Sequence, residues 1–148
     1  MSDYKRIGIV LVASVLAYCL WTVVRPANII RVEHSVIFVE HFPITKKGKL
    51  NWWLENKENL GNEYHIFEAK NNFTVVVMNF GGYEKLPQGT RDGSTDDYTC
   101  FDDAKNKKCI YNDIAIVIRG SINGKMFINT GGKTYIQTAE GKVILQEK

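Results

Sequence analysis

The chain has 148 residues, 45% of them hydrophobic, and its 19 basic and 16 acidic residues give a formal charge of +3 at pH 7. Lys5, Arg6 and Arg25, with the acid Asp3, flank one apolar stretch, so the rest of the sequence is close to neutral and has no basic stripe for neutralising phosphates. Nucleic acid is therefore not an expected partner, and residues 27–148 suffice for one hydrophobic core but not for two.

The first element is the uncharged run IGIVLVASVLAYCLWTVV, residues 7–24. As a helix rising about 1.5 Å per residue it spans about 27 Å, close to the hydrocarbon thickness of a bilayer. Tyr18 and Trp21 near one end suit the interface, and Arg25-Pro26 closes the run. Cleaved signals also begin basic and turn apolar. A lipoprotein signal would need a small residue where Tyr18 precedes Cys19, and no polar break follows Ala17 or Cys19. The expectation is an uncleaved membrane anchor, with residues 1–6 cytoplasmic, 7–24 spanning and 25–148 on the far side of the membrane. The orientation follows the positive-inside rule, with Lys5, Arg6 and the amino terminus set against Arg25 and Arg31.

Beyond the anchor, the β-branched runs at residues 29–33 and 36–40, separated by His34-Ser35, predict a hairpin. Thr45 is placed to cap a helix over residues 46–59 that stops at Gly61. Along that helix Leu50, Trp53, Leu54 and Leu60 share one apolar arc. Trp52 falls about 200° from Leu50, among Asn51, Glu55, Asn56 and Asn59. Either a neighbouring segment such as residues 41–44 covers Trp52, or it is an exposed anchor for a partner or for the bilayer surface; Trp52, Asn56 and Asn59 are the candidate partner-binding residues. Residues 64–67 suggest a short strand, and FTVVVMNF, residues 73–80, a central one. Residues 81–112 turn polar and glycine-rich and read as a long loop. The end of the chain reads as an antiparallel meander over residues 114–122, 125–129, 133–138 and 142–146, with Asn123-Gly124 signalling a type I′ turn. The fold class expected is α+β: one transmembrane helix, then a small domain with an antiparallel sheet and one principal helix.

Cys100 and Cys109 are the only cysteines outside the span. On an oxidising side they would form a disulfide; two separate buried thiols are the alternative, and a metal site lacks a nearby histidine.

Chemistry is sparse. Ser14, Ser35, Ser94 and Ser121 have no nucleophile-elbow context, and His34, His41 and His65 have no ligand spacing. Asp92, Asp96, Asp97, Asp102 and Asp103 lack the alternation of a calcium loop and read as solvated beside Lys105, Lys107 and Lys108. Gly81-Gly82 and Gly131-Gly132 read as turns, and Asn72-Phe73-Thr74 as a chance glycosylation match. No catalytic residue, metal or cofactor is expected.

The stretch FPITKKGKLNWWLENK, residues 42–57, resembles a family of small enterobacterial inner-membrane proteins classified as domain of unknown function 943. The likeness extends over nearly the whole chain, through Arg25-Pro26, the early hairpin and the cysteine pair; it implies a Gram-negative inner membrane and no assigned activity. Together these readings point to a non-enzymatic periplasmic binding domain, either an envelope-complex component or an immunity-type protein that neutralises a toxin. The alternative is a module for a small glycan or lipid with Trp52 as a stacking platform; a strand-edge crevice lined with Trp, Tyr and Asn would favour it, whereas a flat apolar patch around Trp52 would favour a protein partner.

Overall fold

The computed structural model describes residues 2–67, 72–86, 95–103 and 106–146. The chain begins with α1, Asp3–Val24, a 22-residue helix with no residue buried against protein. At about 1.5 Å per residue it is about 33 Å long, enough to cross a bilayer. Its two aliphatic hydroxyls are satisfied within the helix: Ser14 Oγ donates to the Val10 carbonyl at 2.8 Å and Thr22 Oγ1 to that of Cys19 at 2.7 Å. Such back-bonding lets a polar side chain enter an apolar medium without an orphaned donor.

Three residues later the domain begins with the expected hairpin, β1 (Asn28–Glu33) and β2 (Val36–Glu40). The helix α2 (Lys46–Tyr64) then crosses to β3 (Thr74–Asn79), and the sheet is completed by β6 (Ile114–Gly120), β7 (Met126–Thr130), β8 (Lys133–Gln137) and β9 (Val143–Gln146). The strand order is β1-β2-β3-β6-β7-β8-β9. All pairs are antiparallel except β2–β3, where a helical crossover brings the chain back in the same direction. A hairpin of β4 (Tyr98–Asp103) and β5 (Asn106–Tyr111) forms a separate two-stranded sheet. The domain is thus α+β, with β3 in the interior of the sheet.

Strand alternation fixes what each face buries. Ile37, Val39, Val75, Val77, Ile116, Ile118 and Ile128 point to one side and meet Leu50, Trp53 and Leu60 of α2. Trp53 is fully buried, and its indole N–H is spent on Met126 Sδ at 3.1 Å. On the other side Phe38 meets Phe101 and Ile110 of the β4–β5 hairpin, with Phe38 and Phe101 edge to face at 5.7 Å. The hairpin therefore covers the second face at β2 and β3.

Four expectations are corrected. Gly61 lies within α2 rather than ending it: the Phe67 ring packs so closely that a Cβ there would meet it at 2.7 Å. The helix runs on to Tyr64 and His65 supplies the left-handed cap at φ 51°, which also removes the short strand placed at residues 64–67. The predicted long loop holds the β4–β5 hairpin, because Tyr98 to Tyr111 alternate in register around the cysteines. At Asn123-Gly124 only the glycine is left-handed, in a three-residue loop closed by Ser121 N–H to Lys125 O at 2.9 Å and Gly124 N–H to Ser121 O at 3.0 Å. The two-residue turn with positive φ at both centres is Gly131-Gly132, at 53° and 78°. Thr45 caps α2 as expected, its Oγ1 accepting from Gly48 N–H at 3.0 Å.

Candidate functional site

The three histidines do not converge. His34, His41 and His65 all have positive φ and stand at three chain reversals: the β1–β2 turn, the end of β2 and the cap of α2. Histidine tolerates that region better than bulkier or branched residues, so their placement has a backbone reason. Among the described residues no three His, Cys, Asp or Glu side chains group as metal ligands. Asp96 and Asp97 belong to a short 3-10 turn before β4. Asp92, Lys105 and Ser94 lie outside the described residues, as do the side chains of Asp102, Asp103 and Lys107.

Trp52 is not an exposed anchor. Although it occupies the polar arc of α2, it is 9% exposed. Phe42, from the incoming segment, stands edge to face on it at 4.9 Å. The apolar surface of the helix is thereby widened past its own arc by a residue from outside it. Asn56 donates from Nδ2 to the Trp52 carbonyl at 2.8 Å, and Asn59 is exposed on the same helix. The three candidates consequently share a helix but form no exposed aromatic patch, because the ring that would make the patch is covered.

Aromatic side chains gather instead beside the disulfide hairpin. Cys100 and Cys109 are directly paired across β4 and β5 and are joined by a disulfide. Glu84 extends this ribbon, its N–H donating to Cys109 O at 2.7 Å and its carbonyl accepting from Cys109 N–H at 2.9 Å. The cross-link fixes the register, and the register sets Tyr98 opposite Tyr111 with ring centroids 5.5 Å apart. Phe80 and Tyr83 form a second edge-to-face pair at 5.2 Å, and the Lys108 ammonium lies 5.1 Å over the Tyr83 ring. Asn79, Phe80, Gly81, Glu84, Tyr98, Tyr111 and Asp113 line an open crevice of about 320 Å³ between the end of β3 and the hairpin.

Electrostatics there is acidic and local. Burial, then the charge of Glu84 and its hydrogen bond with the Tyr98 hydroxyl, hold the Tyr98 phenol above its usual range; Tyr111 and Asp97 add to this. Asp113 is oriented by Asn79, whose Nδ2 donates to its Oδ2 at 3.1 Å while the two backbones bond at 2.8 Å. Two carboxylates beside aromatic rings can receive a cationic group or hydrogen-bond donors, and tyrosine rings offer rigid contact area at low entropic cost. None of these crevice residues reads from the sequence as a binding residue, and Gly81 reads there only as part of a turn. The available signal was the mirror-related spacing of Tyr98 and Tyr111 about the cysteines, which opposes the tyrosines once the cysteines pair.

The family model described as "Enterobacterial putative membrane protein (DUF943)" matches residues 2–147, and the chain belongs to that family. No curated protein and no solved structure matches it.

Proposed function

We propose that this membrane protein is a single-pass inner-membrane component whose amino terminus stays in the cytoplasm. Residues 25–148 then form a non-enzymatic periplasmic domain that recognises another protein, from the envelope or an incoming toxin. The observation that carries the reading is the tyrosine crevice. Its lining offers rigid aromatic surface and two carboxylates in a concavity sized for one or two side chains, which fits a lysine or arginine of a partner. The Cys100–Cys109 disulfide supports an oxidising compartment for the domain, and tethering raises the local concentration of the domain for partners at the same membrane.

The same crevice favours a second reading, a small glycan or lipid ligand stacked on Tyr98 or Tyr111 and hydrogen-bonded by Asn79. A photo-crosslinking amino acid in place of Tyr111, used in cells, separates the two. Protein adducts that disappear with Glu84→Gln support the first reading, and adducts of glycan or lipid mass alone support the second. Equal labelling from position 122, at the opposite end of the sheet, would refute both. Protease added to spheroplasts should digest the domain; full protection would refute the orientation.

A further inference from the structure

The end of the sheet nearest the span carries a second surface, independent of the crevice. Only Arg25, Pro26 and Ala27 separate α1 from β1. Register places Asn28 and Glu40, the end of β3, the start of β6 and the Gly131-Gly132 turn at that same end. The segment leaving β2 there returns into α2, burying Phe42 but leaving Ile44 88% exposed. Arg25 lies against His41 at 3.3 Å, tying this segment to the exit of the span.

Beside Ile44 the surface is basic. The first turn of α2 holds Lys46, Lys47 and Lys49 and no acid. That runs against the helix dipole, so helix stability does not explain the arrangement. The stem of Lys46 lies across the glycine turn, where a Cβ on Gly131 would meet its Cε at 2.6 Å, and Lys133 follows that turn directly. Lys46, Lys47 and Lys133 have no ion pair among the described residues. The acids at this end are engaged elsewhere, Glu40 accepting from Asn28 Nδ2 at 2.9 Å and Asp113 facing the crevice.

We propose that this corner, formed by Ile44, Lys46, Lys47 and Lys133, rests on the anionic phospholipid headgroups around the protein's own span, with Ile44 dipping into the interface. The three-residue connection keeps the corner close to the bilayer. The separation is therefore comparable to the Debye length of about 8 Å, over which the surface potential acts. Each lysine near such a surface contributes about a fivefold preference for the docked arrangement, and the tether removes the cost of bringing domain and membrane together. This inference shares the anchor with the proposed function but does not depend on the crevice.

The test uses the full chain with Cys19→Ser, reconstituted with Ile44→Cys or Ile122→Cys carrying an environment-sensitive fluorophore. Ile122, also strongly exposed, lies in the β6–β7 turn at the far end of the sheet and serves as the matched control. Bilayers of phosphatidylcholine, with or without phosphatidylglycerol, carry a lipid-borne quencher. With phosphatidylglycerol present, quenching at position 44 should exceed that at 122 by about threefold or more. Lys46→Gln, Lys47→Gln and Lys133→Gln together, or high salt, should remove most of the excess. Equal quenching at the two positions would overturn the proposal, and so would an excess at 44 indifferent to lipid charge and to the lysine substitutions. Loss of crevice crosslinks with this quenching pattern intact would refute only the proposed function.

Discussion

Replacing Trp52 with alanine decides whether this side chain is structure or contact surface. Its ring is 9% exposed, so it hides on the order of 200 Å². At about 25 cal/mol per Å² that is about 5 kcal/mol as an upper bound. Alanine retains part of this, and Phe42 can partly collapse into the space, but the edge-to-face contact at 4.9 Å is lost, adding about 1 kcal/mol. The net expectation is about 4 kcal/mol, in the usual range for removing a buried aromatic. For a domain of this size each kcal/mol lowers the melting temperature by roughly 3–6 °C, so Trp52→Ala should melt about 12–24 °C early. Near-ultraviolet circular dichroism of the full chain in detergent reads this, because the aromatic side chains of α1, Tyr4, Tyr18 and Trp21, should give a background that stays constant while the domain melts. Tyr111→Ala, at a position 52% exposed, is the comparison and should cost less than about 1 kcal/mol. A Trp52→Ala protein melting within about 3 °C of its parent would refute the burial.

Gly61→Ala should destabilise, although alanine is the better helix former by about 1 kcal/mol, because its Cβ would meet the Phe67 ring at 2.7 Å; a raised melting temperature would show that the ring yields freely. Reducing the Cys100–Cys109 disulfide opens a loop with a sequence separation of 9 and should cost about 2.5–3 kcal/mol in chain entropy. Thiol labelling under denaturing conditions should find only Cys19 reactive before reduction, and three labelled cysteines without reductant would contradict it. The Tyr98 phenol, raised above the ordinary value of 10.0 chiefly by burial and Glu84, should titrate late in the ultraviolet together with Tyr64, which burial and Glu63 also raise, and Tyr98→Phe should remove its share of that late amplitude. The native state holds this proton more tightly than the unfolded chain. Its contribution is therefore complete below the unfolded value and is lost as pH rises through the folded one. A late amplitude unchanged in Tyr98→Phe would refute the Glu84 contact.

Local pattern made the sheet legible. The β-branched runs of β1, β2, β3 and β6 and the glycine turns of the meander specify period-2 strands and their reversals without reference to anything distant. Leu50, Trp53 and Leu60 likewise declare the buried arc of α2. The stop at Gly61 fails because a residue beyond the helix overrides a local rule, Phe67 turning the glycine into a packing site; at Trp52 the sequence leaves cover and exposure both open, and Phe42 from residues 41–44 supplies the cover. Cross-strand pairing also hid the crevice, since Tyr98 and Tyr111 meet only after the cysteines have set the register.

The proposed anchoring also bears on the border of the sheet at β9, which has a strand on one side only among the described residues and where Ile144 and Leu145 are exposed. Such a border invites a second chain to add on in antiparallel fashion. A two-fold relation of that kind would invert one molecule along its strands. Its α1 would then emerge at the far end of the sheet, about one strand length from the lipid that holds its twin. With the sheet standing on the bilayer by its span-proximal end, as proposed above, two molecules inserted the same way would not meet so, and the span would guard an otherwise adhesive rim that a severed, freely tumbling domain would leave open to self-association.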